Sequence, residues 1–132
     1  SAHYYFRDFW GADSGMLAAL HVLAALGEEQ RPLSELMADY QRYEASGEIN
    51  FRVEDAPACV EAVLKSFGNE IVSLDHLDGV TVDVGDGSWF NLRTSNTEPL
   101  LRLNVEARTA DDVDKIVRHV ADQIAVTSGG GP

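Results

Sequence analysis

Cysteine, basic charge and long apolar runs are what this sequence has least of. Of 132 residues a single one, Cys59, is cysteine. That excludes a disulfide framework and a cysteine-built metal cluster, and it leads us to expect a reducing, cytoplasmic setting. Lysine and arginine together number 10 against 22 aspartates and glutamates, a formal net charge of −12. Such an acidic excess argues against nucleic acid or an anionic membrane as the main partner, because both repel it. No apolar run approaches the roughly 20 residues that a membrane-spanning helix requires. The opening Ser1-Ala2-His3 has no initiator methionine, basic n-region or apolar signal core, so no secretory leader is expected in it. What remains is the composition of a globular protein, 45% apolar and 24% charged, long enough to bury a core. A protein this acidic that binds an anion has to gather its few arginines locally.

Periodicity supplies the elements. Tyr4-Tyr5-Phe6 suits a short strand. Asp13 reads as the N-cap of a helix in which Met16, Leu20, Leu23 and Ala24 recur until Gly27 stops it. Pro32 introduces a second helix, striped by Leu33, Leu36, Met37 and Tyr40. Glu44-Ala45-Ser46-Gly47-Glu48 is small and polar and reads as a linker. Ile49, Phe51 and Val53 then share one side of a strand. Asp55 caps a helix with Pro57 in its first turn and Val60, Val63, Leu64 and Phe67 along its stripe, closed by Gly68. Ile71 to Leu74 reads as a strand, and Val80, Val82 and Val84 alternate up to a Gly85-Asp86-Gly87 turn into Ser88 to Leu92. Leu101, Leu103, Val105 and Ala107 alternate with polar residues, and Thr109 with Asp112 opens a last helix striped by Val113, Ile116, Val117, Val120 and Ile124. Ser128 to Pro132 is expected to be a disordered tail. From about residue 48 the order β-α-β-β-β-β-α predicts an α+β domain, one antiparallel sheet with two helices on one face. The first 45 residues are too few for a self-contained α/β domain and read as the helical end of a larger one. The expected division is 1–45, 46–127 and a tail at 128–132.

Between the last two strands lies Arg93-Thr94-Ser95-Asn96-Thr97-Glu98-Pro99, with Arg102 just beyond. Arg93 offers a planar fork for bidentate contact with an oxyanion. Ser95 and Thr97 offer hydroxyls, Asn96 an amide, and the loop its backbone N–H groups. Arg102 alternates away from Leu101 and Leu103, onto the polar face that can reach the same anion. An ordinary polar loop whose arginines pair with nearby carboxylates is the competing reading of the same residues.

The stretch Phe90 to Ala107 resembles the phosphate-binding loop of the α-D-phosphohexomutase superfamily, in its bacterial phosphomannomutase/phosphoglucomutase branch. Ser1-Ala2-His3-Tyr4-Tyr5-Phe6-Arg7-Asp8 resembles the end of that family's third-domain sugar-recognition motif, with Ala2 where many members have glycine; Asp13-Ser14-Gly15-Met16 and Ala45 to Asn50 are similar too. The resemblance implies four domains and transfer of a phosphoryl group between the 6- and 1-positions of a hexose, here mannose 6-phosphate and mannose 1-phosphate and, by extension, glucose phosphates. It also implies a phosphoserine, Mg2+ and a hexose 1,6-bisphosphate intermediate. Arg93, Ser95, Asn96, Thr97 and Arg102 would bind the non-reacting phosphate, Ser1 would grip sugar hydroxyls, and His3 would assist proton transfer. The phosphoserine loop has no counterpart in this sequence, so the chain alone is expected to be an inactive C-terminal fragment that works with the remaining domains of its polypeptide. A hinge near Glu44 to Ile49 would let the last domain close.

Asp83-Val84-Gly85-Asp86-Gly87 lacks the aspartate spacing of the family's magnesium loop and reads as a hairpin turn, so no metal ligand is assigned here. His21, His76 and His119 read as structural or solvated, Trp89 as a core residue of the sheet, and Cys59 as a small hydrophobe. Two rivals share the motif: phosphoglucosamine mutase, disfavoured by Asn96 where that branch has glycine, and a free-standing anion-binding or interaction module. Residues 1–45 folding back to form a dimer patch is a further alternative.

Overall fold

The computed structural model describes residues 3–95 and 97–128. The chain divides into two compact units, one reaching Gln41 and one beginning at Arg42. In the first, β1 (Tyr5–Phe6) pairs antiparallel with β2 (Ala12–Asp13), followed by α1 (Gly15–Glu28) and α2 (Leu33–Ala38). Ser14, and not Asp13, caps α1, its Oγ accepting from the Leu17 N–H at 3.2 Å. Gly27 lies inside the helix, which closes at Glu29. No residue of α1 is buried, and Met16, Leu20, Val22 and Leu23 are exposed. A helix this apolar with no buried residue among those described has the pattern of an element from the interior of a larger layer. Pro32 introduces α2 as expected, since its fixed φ suits a helix entry.

The second unit is α+β. Its elements are β3 (Glu44–Ala45), β4 (Ile49–Arg52), α3 (Ala56–Phe67), β5 (Ser73–Asp75), β6 (Val80–Gly85), β7 (Ser88–Thr94), β8 (Leu100–Ala107) and α4 (Ala110–Thr127). They form an antiparallel sheet in the order β3-β8-β7-β6-β5, with β4 also on β8. Of the residues expected as a linker, Glu44 and Ala45 are instead sheet edge: β3 and β4 lie end to end along β8, with Glu44 opposite Ala107 and Ile49 opposite Leu103. Ser46 spans the gap, its N–H donating to Val105 O and its Oγ accepting from Val105 N–H, each at 2.9 Å. A serine hydroxyl here stands in for a backbone carbonyl, which composition alone does not reveal. A hinge within Glu44 to Ile49 would have to break this ladder.

One face of the sheet carries the core. Val82, Phe90, Leu92, Leu101, Leu103, Val105 and Ala107 are buried against Cys59, Val63 and Phe67 of α3 and Val113, Ile116, Val120 and Ile124 of α4. Each fully buried side chain of this kind contributes about 1.5–3 kcal/mol. Phe90 packs on Phe67 with ring centroids 4.9 Å apart. His119 joins the helices: its Nε2 lies 2.8 Å from Ser66 Oγ, whose proton goes to Val63 O, so the imidazole donates. Trp89 alternates with Phe90 and so lies on the opposite face, half-buried, which corrects its expected place in the core. The caps are as the sequence implies: Asp55 accepts from Ala58 N–H at 2.9 Å, and Thr109 from Asp112 N–H at 3.2 Å. Ser128, expected in the tail, instead closes α4 through its N–H to Ile124 O, and residues 129–132 lie outside the described ones. Among the described residues no helix is long and apolar enough to cross a membrane.

Candidate functional site

The β7–β8 hairpin sets the site by register. Arg93 and Arg102 are directly opposite each other, on the face away from the helices. Like charges in that arrangement repel, so the pair needs negative charge beside it. Two carboxylates flank it. Asp78 Oδ2 accepts from Arg93 Nη1 at 3.0 Å on the β6 side, and Glu48 Oε1 lies 3.8 Å from Arg102 Nε on the β4 side. The second distance is too long for a hydrogen bond. Arg102 Nε is buried and, among the described residues, has no hydrogen-bond partner. A buried donor left in that state costs about 1–3 kcal/mol.

Asp78, Arg93 and Arg102 line an open cavity of about 410 Å³ together with Gly79, Thr94, Ser95 and Thr97. The hairpin loop is closed by Ser95 N–H to Leu100 O at 2.9 Å, and Leu100 N–H turns back to Glu98 O at 2.7 Å across Pro99. Thr97 N–H donates to Ser95 Oγ at 3.4 Å, with the two hydroxyl oxygens 3.5 Å apart. The backbone N–H groups of Ser95 and Thr97 are thus spent within the loop, contrary to the expectation that they face a ligand. Among the described residues, the side-chain donors lining the cavity are the two guanidinium groups and the hydroxyls of Thr94, Ser95 and Thr97, a set suited to a tetrahedral oxyanion.

Asp78 and Gly79 were not singled out by the sequence reading. Their place follows from strand register and not from any local pattern: Val80 pairs with Leu92, so the residue before Val80 lies beside Arg93. Gly79 has φ +72, and a Cβ there would sit 2.4 Å from Leu92 O and 3.0 Å from Arg93 Cα. Only glycine lets the loop lie against β7 this closely. Asn91 Nδ2 pins it further, donating to Asp78 O at 2.8 Å and to Thr81 Oγ1 at 3.0 Å. Asn96, expected among the phosphate ligands, and Ser1, expected at the sugar, lie outside the described residues.

His3 belongs to the first unit. Its Nδ1 is 2.6 Å from Asp13 Oδ2, while Tyr4 N–H donates to Asp13 Oδ1 at 2.8 Å. The His3 hydrogen bond, aided by that of Tyr4, holds the Asp13 carboxyl below its ordinary range. Asp13 therefore orients a histidine, leaving its Nε2 for other work. The Asp83 to Gly87 segment is a two-residue hairpin turn: Asp86 and Gly87 have φ of 52 and 77, and Asp83 Oδ1 accepts from Gly85 N–H at 2.7 Å. Among the described residues no three His, Cys, Asp or Glu side chains converge to hold a metal ion.

Comparison with known proteins supplies a family for the chain. The family model described as phosphoglucomutase/phosphomannomutase, C-terminal domain, matches residues 48–123, and that of the alpha/beta/alpha domain III matches residues 1–43. A protein of Xanthomonas campestris named phosphohexose mutases is 50% identical over 110 residues, 82% of this chain and 24% of its own length. A phosphomannomutase of Methanocaldococcus jannaschii is 41% identical over 125 residues, 95% of this chain and 27% of its own. An Escherichia coli phosphomannomutase is 44% identical over 110 residues, 24% of its length. The chain thus spans about a quarter of the curated relatives it matches. A crystal structure of a phosphoglucomutase/phosphomannomutase family protein from Burkholderia thailandensis aligns with a TM-score of 0.69 and 20% identity, covering 99% of this chain and 28% of that one. At that identity it supports the fold alone.

Proposed function

Because the chain belongs to the phosphoglucomutase/phosphomannomutase family, we propose that it is the C-terminal part of a phosphomannomutase. In this reading residues 46–127 form the complete fourth, phosphate-binding domain, and residues 1–45 are the end of the third, sugar-binding one. The whole enzyme would interconvert mannose 6-phosphate and mannose 1-phosphate in the cytoplasm, glucose phosphates being further candidates, through a phosphoserine and a hexose 1,6-bisphosphate.

One observation carries the role of this part: two arginines directly opposed in register, one with a buried, unpartnered Nε, face a cavity rimmed by Ser95 and Thr97. A phosphate there would accept from the guanidinium N–H groups that reach the cavity and neutralise the repulsion between the two arginines. A phosphoryl group has to reach both ends of the hexose, so the non-reacting phosphate is presented from either end. A site made of arginine forks and hydroxyls suits that task, because it reads the anion and leaves the sugar to other residues. Asn96 would add an amide donor to the phosphate, Ser1 a hydroxyl to the sugar, and His3, oriented by Asp13, a group able to move a proton near the reacting oxygen.

Magnesium would supply Lewis-acid stabilisation of the transferring phosphoryl group in the whole enzyme. In this reading its ligands would come from another part of the polypeptide. The 132-residue chain by itself is then without mutase activity. In the full-length enzyme, Arg93→Ala should lower kcat/KM for mannose 6-phosphate by about 10- to 100-fold, the equivalent of one lost charge-assisted hydrogen bond. Steady-state kinetics checks this, and unchanged kcat/KM would overturn the assignment. Running glucose and glucosamine phosphates beside mannose phosphate separates the substrate alternatives.

A further inference from the structure

A carboxylate at the mouth of an anion site calls for an explanation. Asp78 lines the cavity with Arg93 and Arg102 and repels whatever phosphate enters it. Three separate features nevertheless hold it there: the Asn91 amide bonded to its carbonyl, the glycine that alone permits Gly79 to lie against Leu92 and Arg93, and the 3.0 Å bond from Arg93 Nη1 to its Oδ2. Arg93 otherwise has a long, freely rotating side chain repelled by Arg102 directly opposite.

Taking the phosphate-binding reading of this cavity as given, we infer that Asp78 is a positioning residue. It accepts from one guanidinium nitrogen and so fixes the fork with its remaining N–H groups toward the cavity. The arginine enters binding already ordered, and the side-chain entropy of fixing it is met before the ligand arrives. Glu48 stands in the corresponding place for Arg102, but at 3.8 Å it is beyond hydrogen-bond range of Nε and does not fix that guanidinium in the same way.

The sign of one measurement distinguishes this from simple electrostatics. Inorganic phosphate is titrated into the isotopically labelled 132-residue chain and into Asp78→Ala, Asp78→Asn and Arg93→Ala variants, followed by NMR, with the spectra also reporting folding. Charge alone predicts tighter binding when Asp78 is removed. Positioning predicts that Asp78→Ala binds on the order of five-fold more weakly, from the cost of immobilising one rotamer-rich side chain. Asp78→Asn keeps an acceptor for Nη1 and should bind at least as well as the native chain. If Asp78→Ala does not fold, Asp78→Ser, whose oxygen is too short to reach Arg93, takes its place. Equal or tighter binding by the alanine or serine variant, or an asparagine variant as weak as alanine, overturns the inference while Arg93→Ala still tests the site. A native chain that binds no phosphate overturns the phosphate reading and the inference with it.

Discussion

Single side chains in this protein are placed by the register of neighbouring strands. Arg93 and Arg102 meet because Leu92 pairs with Leu103 on the core face, which forces the next residues outward together. Asp78 reaches them because Gly79 tolerates both a left-handed backbone and a 2.4 Å approach that any Cβ would have to make to Leu92 O. Gly79→Ala should therefore destabilise the second unit by about 2 kcal/mol, from backbone strain and the displaced loop, measured by chemical denaturation. That Arg93, Ser95, Thr97 and Arg102 share one cavity was foreseeable from the sequence, because they lie close together along one hairpin. Asp78 was not, since its role comes from a partner 15 positions away. Asp13 was misread for a similar reason: an aspartate before a helix is a good cap, yet here Ser14 takes that role and Asp13 serves His3.

Among the elements, α4 shows how local chemistry and packing agree. Thr109 accepts from Asp112 N–H and its hydroxyl donates to Asp112 Oδ2 at 2.6 Å, while Lys115 Nζ lies 2.9 Å from Asp112 Oδ1. The Thr109 hydroxyl first, then Lys115, hold the Asp112 carboxyl below its ordinary range. A depressed carboxylate stabilises the fold above its unfolded value of about 4 and loses that contribution as pH falls through the folded value. Asp112→Asn should accordingly cost stability at neutral pH, with the difference from the native chain shrinking as the pH drops below about 4. Thermal unfolding at neutral pH and at pH 3 checks the sign. Thr109→Ala removes the cap and should cost about 1 kcal/mol. Strands β6 to β8 and helices α3 and α4 were legible because their apolar periods are clean. Strand β3 was not, because a Ser-Gly break in an edge strand has the composition of a linker, and only pairing with β8 distinguishes the two.

At the scale of the whole molecule, the two units differ in kind. The unit from Arg42 onward has a continuous core between one sheet face and two helices. The unit ending at Gln41 has an apolar helix with no buried residue. An isolated helix of 14 residues is marginal in water, since helices shorter than about 12–15 residues rarely persist without tertiary packing. Hydrogen exchange of this chain should find the amides of α1 exchanging far faster than those of β7, β8 and α4; comparable protection would show that α1 is packed in solution. The sequence by itself determined the alternation of strand and helix in the second unit, the Asp55 and Thr109 caps, and the hairpin turn, because each depends on near neighbours and side-chain chemistry. The tertiary structure decided that the supposed linker is an edge strand, that Trp89 faces away from the core, that two arginines oppose each other beside an aspartate, and that one guanidinium nitrogen is buried without a partner. Those depend on which distant strands pair and in what register, and no local pattern fixes that.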